Sequence, residues 1–138
     1  MQEIKAVIDT NVLVSILKGS TNLSTIYSAF KDNRFTLVIS TEILKELAIV
    51  LYRPNLDIDP RDIKELFRLI KARALRIKLP APFIKVCRDP RDNFILEVAV
   101  VSESDFIVSG DEDLLILKSF SGIPIVSPSR FIHALNKL

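Results

Sequence analysis

Short apolar runs alternate with amphipathic stretches along most of this chain, and that rhythm predicts alternating strands and helices. Ile4–Ile8 and Phe35–Ile39 are near-continuous apolar runs of strand length. Leu75–Leu79 alternates apolar and polar residues, which suits an edge strand. Phe106–Ser109 and Ile123–Val126 complete a set of five, and Pro124 places the last of them at an edge. Between the strands the period changes to that of a helix. Asp9-Thr10-Asn11 opens a helix to about Lys18, where Gly19-Ser20 stops it. Asn22 or Ser24 caps a second, to about Lys31. Ser40 or Thr41 caps a third, which Arg53-Pro54 ends. Asp59-Pro60 starts a fourth, with Ile63, Leu66, Phe67 and Ile70 at helical spacing. Pro80-Ala81-Pro82 reads as a stiff connection. Asp89-Pro90 opens a helix to about Ser102, Gly110-Asp111 a short one, and Pro128-Ser129 the last.

Strands alternating with helices imply an α/β fold: a three-layer α/β/α sandwich around a five-stranded parallel sheet. The 138 residues suit a single domain over 1–138, and no repeat or long linker divides them. In such sheets ligands bind beyond the carboxyl ends of the strands, near the point where strand order reverses. Asp9 and Asp111 each follow a strand, so both fall on that rim.

Each acid has an ordinary explanation when taken alone. Asp9 and Asp111 precede helices, where aspartate is a favoured cap worth about 1 kcal/mol. Asp92 falls in the first turn of its helix and complements the helix dipole. Glu46 is harder to dismiss, because it lies at the margin of the apolar stripe Ile43, Leu47, Val50 and Leu51. Glu42, one turn earlier, is rotated toward solvent. Together, Asp9, Glu46, Asp92 and Asp111 can share one rim, and converging carboxylates require a counter-charge. Oxygen donors suit Mg²⁺ or Mn²⁺, as one ion or two. Asn11 adds a neutral oxygen, Asp113 a fifth carboxylate or a first-turn charge, and Thr10 and Ser109 add hydroxyls able to orient the acids. The chemistry that suits such a set is metal-assisted hydrolysis of a phosphodiester.

Composition narrows the alternatives. The apolar share is 49% and the charged share 26%, which argues against disorder. The net charge of +2 permits a nucleic-acid partner without demanding one. Lys64, Arg68 and Lys71 read as a solvated face; Arg88 and Arg91 lie nearer the acids and are candidates for holding RNA phosphates. Phe83 is a candidate for base stacking, though packing is the simpler role. The single histidine, His133, has a structural rather than catalytic setting, which disfavours both a Ser-His-Asp triad and a histidine-rich zinc site. The lone Cys87 excludes an internal disulfide and fits the cytoplasm. Neither a secretory leader nor a membrane span is expected, since the apolar stretch Phe94–Val101 is short and broken by Glu97. With glycine only at 19, 110 and 122, neither a P-loop nor a dinucleotide-binding turn exists.

Four segments resemble the motifs of PIN-domain proteins. Val7-Ile8-Asp9-Thr10-Asn11-Val12-Leu13 is similar to their opening, and Ser40–Leu47 to their second acidic motif, with Glu46 as the acid. Asp89-Pro90-Arg91-Asp92-Asn93 is similar to the third, with Asp92 as the acid. Val108–Leu115 is similar to the fourth, with Asp111 and the frequent extra Asp113. The resemblance implies a five-stranded parallel sheet and a Mg²⁺- or Mn²⁺-dependent ribonuclease. It is nearest to stand-alone prokaryotic members that act as toxins of toxin–antitoxin pairs, commonly homodimers inhibited by a small antitoxin. Two other readings stand beside it. One is a module that keeps the fold and binds without turnover. The other is a receiver-like phosphoacceptor, disfavoured because the first strand ends in one acid and the third in Leu79-Pro80. An aspartyl phosphatase needs an acid where Asn11 stands.

Overall fold

The computed structural model describes residues 3–19, 23–79 and 84–137. Elements β1 (Lys5–Ile8), α1 (Thr10–Leu17), α2 (Ser24–Lys31), β2 (Thr36–Ser40), α3 (Thr41–Leu51), α4 (Pro60–Arg73) and β3 (Leu75–Ile77) form the first half. Then come α5 (Pro90–Ser102), β4 (Phe106–Val108), α6 (Glu112–Leu115), β5 (Ser119–Phe120), β6 (Ile123–Val126) and α7 (Pro128–Asn136). Asn22, the Pro80-Ala81-Pro82 connection and Phe83 lie outside the described residues.

The sheet runs β3-β2-β1-β4-β6-β5 and is parallel except for β5. It therefore has six strands where five were expected. The sixth is a two-residue piece, too short to show a period. It pairs antiparallel with β6 through Ser121 and Gly122, whose φ angles are 51° and 80°. Two successive left-handed residues make the tight turn that matches strand twist, and Gly122 adopts its half at no steric cost. This hairpin also moves β6 off the edge that Pro124 had suggested. The proline is tolerated because the β4 ladder begins one residue later, at Ile107 and Ile125. At the other side β3 is an edge, as its alternation implies, and it is mostly exposed.

Helices flank the sheet. The central strands β1 and β2 are buried except at Lys5, as parallel strands covered on both faces must be. α5 lies across β1, β2 and β4. Burial on most of its faces explains why its apolar residues show no single stripe. Phe131 of α7 packs edge-on to Phe35 (centroids 5.1 Å apart) and Phe106 (5.5 Å), tying the last helix to the core. His133 is exposed in the last turn of that helix.

Chain order fixes where a site can form. From β1 the chain steps outward to β2 and β3, then returns to the other side of β1 as β4. The reversal lies between β1 and β4, and the residues that follow both strands meet there. The Asp9 amide donates to Val108 O at 2.9 Å, which locks the two strand ends together.

Candidate metal centre

Asp9 and Asp111 are caps and site residues at once. Asp9 Oδ1 accepts the Asn11 amide (3.4 Å) and so starts α1, while Asp111 Oδ1 accepts the Asp113 amide (2.9 Å) and starts α6. Ser109 joins them. Its fully buried hydroxyl donates to Asp9 Oδ2 (2.9 Å) and accepts the Asp111 amide (3.0 Å). One side chain thus orients the acid of one strand and the backbone of the next.

Asp92 comes from the first turn of α5, whose cap is Asp89. It is 7% exposed, and its Oδ2 has no hydrogen-bond partner among the described residues. Carboxylate oxygens of Asp92, Asp111 and Asp113 lie within 4.8 Å of one another. Burial, then the neighbouring charges of Asp111, Asp89, Asp9 and Asp113, raise the Asp92 carboxyl to about 6. Burial likewise raises Asp9, against the Ser109 hydrogen bond that lowers it.

Asp9, Thr10, Asn11, Glu46, Asp92 and Asp111 all line one cavity of about 90 Å³, beside Asp89 and Arg91. Asp113 joins through the carboxylate cluster rather than the cavity wall. Glu46, from α3, is partly exposed, and Thr10 Oγ1 donates to its Oε2 (3.4 Å).

The arginines sit on acids. Arg88 contacts both oxygens of Asp113 (2.9 and 3.0 Å), and Arg91 bridges Asp89 (2.8 Å) and Glu46 (3.3 Å). The rim acids are thereby neutralised within the protein. Among the described residues no ion pair reaches Asp9, Asp92 or Asp111. Lys64, Arg68 and Lys71 face solvent on α4, with Arg68 paired to Glu65.

Two supporting residues have no clear signal in the sequence pattern. Asn93 Oδ1 accepts the amides of Val86 (3.1 Å) and Cys87 (2.8 Å), and its Nδ2 donates to Cys87 O. One turn on, the fully buried Glu97 accepts the Ile84 amide at 2.9 Å. Together they fasten the segment leading to Arg88 against α5. Polar residues four apart in an otherwise apolar helix were the available clue.

A mainly parallel α/β sheet with unpaired, buried carboxylates at its strand-order reversal defines a candidate divalent-cation site. Comparison with known proteins specifies the class. The PIN domain family model matches residues 5–113, and the chain belongs to the PIN-domain family. An uncharacterized protein of Methanocaldococcus jannaschii, MJ1680, is 27% identical over 146 aligned positions, covering 98% of this chain and 94% of that one. The PIN domain of human SMG5 shares the fold, with a TM-score of 0.51 at 12% identity over 94% of this chain and 97% of that one. PIN domains are generally nucleases that act on RNA and bind divalent metals through acidic residues. The receiver-like alternative is set aside by this membership. Among the described residues, no helix is long and apolar enough to cross a membrane.

Proposed function

We propose that this protein is a metal-dependent endoribonuclease and that residues 1–138 act as one nuclease domain. The observation that carries the reading is Asp92 Oδ2, buried without a partner inside a carboxylate cluster. An isolated buried charge is costly, and a hard cation offsets that cost for several acids together. In this reading Asp9, Asp92 and Asp111 hold one or two Mg²⁺ or Mn²⁺ ions, with Asp113 and Glu46 as additional ligands. When bound, such an ion supplies Lewis-acid polarisation of a phosphate and acidifies water.

The remaining residues prepare the site. Ser109 fixes Asp9 against Asp111, and Thr10 steadies Glu46. Glu46 lies on the cavity wall, where its carboxylate can accept a proton from water. Arg88 and Arg91 are exposed as well as paired, so a phosphodiester can draw them from Asp113 and Glu46. That exchange uncovers two acids as substrate arrives. We extend the reading to the toxin of a toxin–antitoxin pair, homodimeric, cytoplasmic and held inactive by a small antitoxin. The resemblance of the four motifs to those of stand-alone prokaryotic members supports the toxin reading, and the lone Cys87 fits the cytoplasm.

Incubation of purified protein with mixed RNAs in Mn²⁺ should give cleavage that chelator abolishes. Asp9→Asn retains the helix cap, because asparagine caps about as well as aspartate. It should nonetheless lower the rate about a hundredfold or more, with circular dichroism unchanged. Parental cleavage by this variant would sink the reading. RNA binding without cleavage by the parent would instead identify a module that binds without turnover.

A further inference from the structure

A larger cavity, about 440 Å³, opens directly beside the acidic one. Glu46 and Arg91 line both, so the two are adjacent and meet at this ion pair. A strand whose phosphate lies over the carboxylates therefore brings a neighbouring nucleoside to this second space.

Of its apolar lining residues, Ile43 and Val50 are held by the core, whereas folding gives little reason for the other two. Ile49 is 67% exposed. Phe94, half-buried, stands outside the core cluster and its partly buried fringe among the described residues. The ring pairs of the core use Phe30, Phe35, Phe106 and Phe131 instead. An aromatic ring from α5 and an exposed branched side chain from α3 both line the cavity, and such apolar surface suits a flat base. Around them stand Lys45, Arg53 and Arg91, a cationic rim that complements the phosphates on either side of such a base. The volume falls in the range of small-ligand sites, about 300–1,000 Å³. Glu42 also lines the cavity and makes no ion pair among the described residues. A carboxylate only accepts hydrogen bonds, so it selects a base edge that donates.

We propose that this cavity is a nucleobase subsite for the nucleotide beside the scissile phosphate, with Phe94 and Ile49 as its platform and Glu42 as the reader of an amino-bearing base edge. The cleavage half of this assignment rests on the nuclease reading above; the binding half does not.

Two measurements separate them. Cut sites are mapped by sequencing a random RNA pool after incubation in Mn²⁺. Binding is read in chelator by fluorescence anisotropy, with short oligoribonucleotides made abasic at one position at a time. Phe94→Ala should weaken binding of the intact oligomer about tenfold, as one lost base–aromatic stack does. It should leave the oligomer that is abasic at the contacted position unaffected. Ile49→Ala, at an exposed position, should act in the same direction and keeps the test open if Phe94→Ala folds poorly. Glu42→Gln should change the base preferred at a single position next to the cut. If the parent binds with base preference but does not cut, the nuclease reading fails and the subsite stands. If the parent cuts while all three variants keep its affinity and cut-site profile, the subsite is overturned and the nuclease reading stands. If Ile49→Asp changes the sedimentation state and leaves base preference intact, the cavity serves a second copy of the chain, which also overturns the proposal.

Discussion

Asp92 bears the strongest conflict between burial and charge in this site. Its carboxyl, raised from 3.8 to about 6, stays protonated in the fold after it has ionised in the unfolded chain. Its contribution is neutral below about pH 4 and becomes a loss of stability as pH rises toward about 6. By linkage that loss reaches up to about 3 kcal/mol above the folded value. Asp92→Asn should remove it. In chelator, the variant should be more stable than the parent at pH 7 and equal to it near pH 4, as read by urea unfolding at both values. A parent and variant that track each other across this range would show that Asp92 carries no such burden. The acids themselves were visible in the sequence, Asp9, Asp92 and Asp111 because each sits beside an element boundary and Glu46 because it borders the apolar stripe of α3. Their pairing with Arg88 and Arg91 was not, since it depends on how loops return to the rim. The two arginines were candidates for phosphate alone, and the fold shows them already holding carboxylates.

At the scale of the element, α5 joins the site to the core. Asp92 faces the acids, while Asn93 and Glu97 hold the segment at 84–87. Asn93→Ala removes the acceptor of two backbone amides, a change worth about 1–3 kcal/mol where those groups stay buried. The Val86 and Cys87 amides should lose protection, read by hydrogen exchange, while β1 and β4 keep theirs. Equal protection in parent and variant would exclude this fastening role. Strand and helix periods were readable wherever a run was long enough, as in Phe35–Ile39 or the stripe of α4. They failed at Ser119–Phe120, where two residues carry no period and the Ser121-Gly122 turn was the only signal. Pro124 misled for a related reason. Its edge character was real in local chemistry, but the hairpin supplied a further neighbour.

At the scale of the whole molecule, cation binding in the proposed site couples to folding. An ion that binds the folded chain alone stabilises it by about 2.7 kcal/mol at a hundredfold excess over its Kd. That corresponds to a rise in Tm on the order of 10 °C for a chain of this size. Mn²⁺ should produce such a rise in the parent and little in Asp92→Asn. A parent whose melting is indifferent to Mn²⁺ would remove the central premise.

The hairpin that ends the sheet has a consequence for assembly. An open row of backbone donors and acceptors invites another chain to add a strand, and very short edges blunt that tendency. Here one border is two residues long and the other three, the latter bearing the cationic Arg76 with Lys78 just beyond. Among the described residues, neither border offers enough backbone to seed a continuous intermolecular sheet. Strand addition at these borders is disfavoured, so substitutions on the helical faces, rather than at the strands, should decide whether this protein works singly or in pairs.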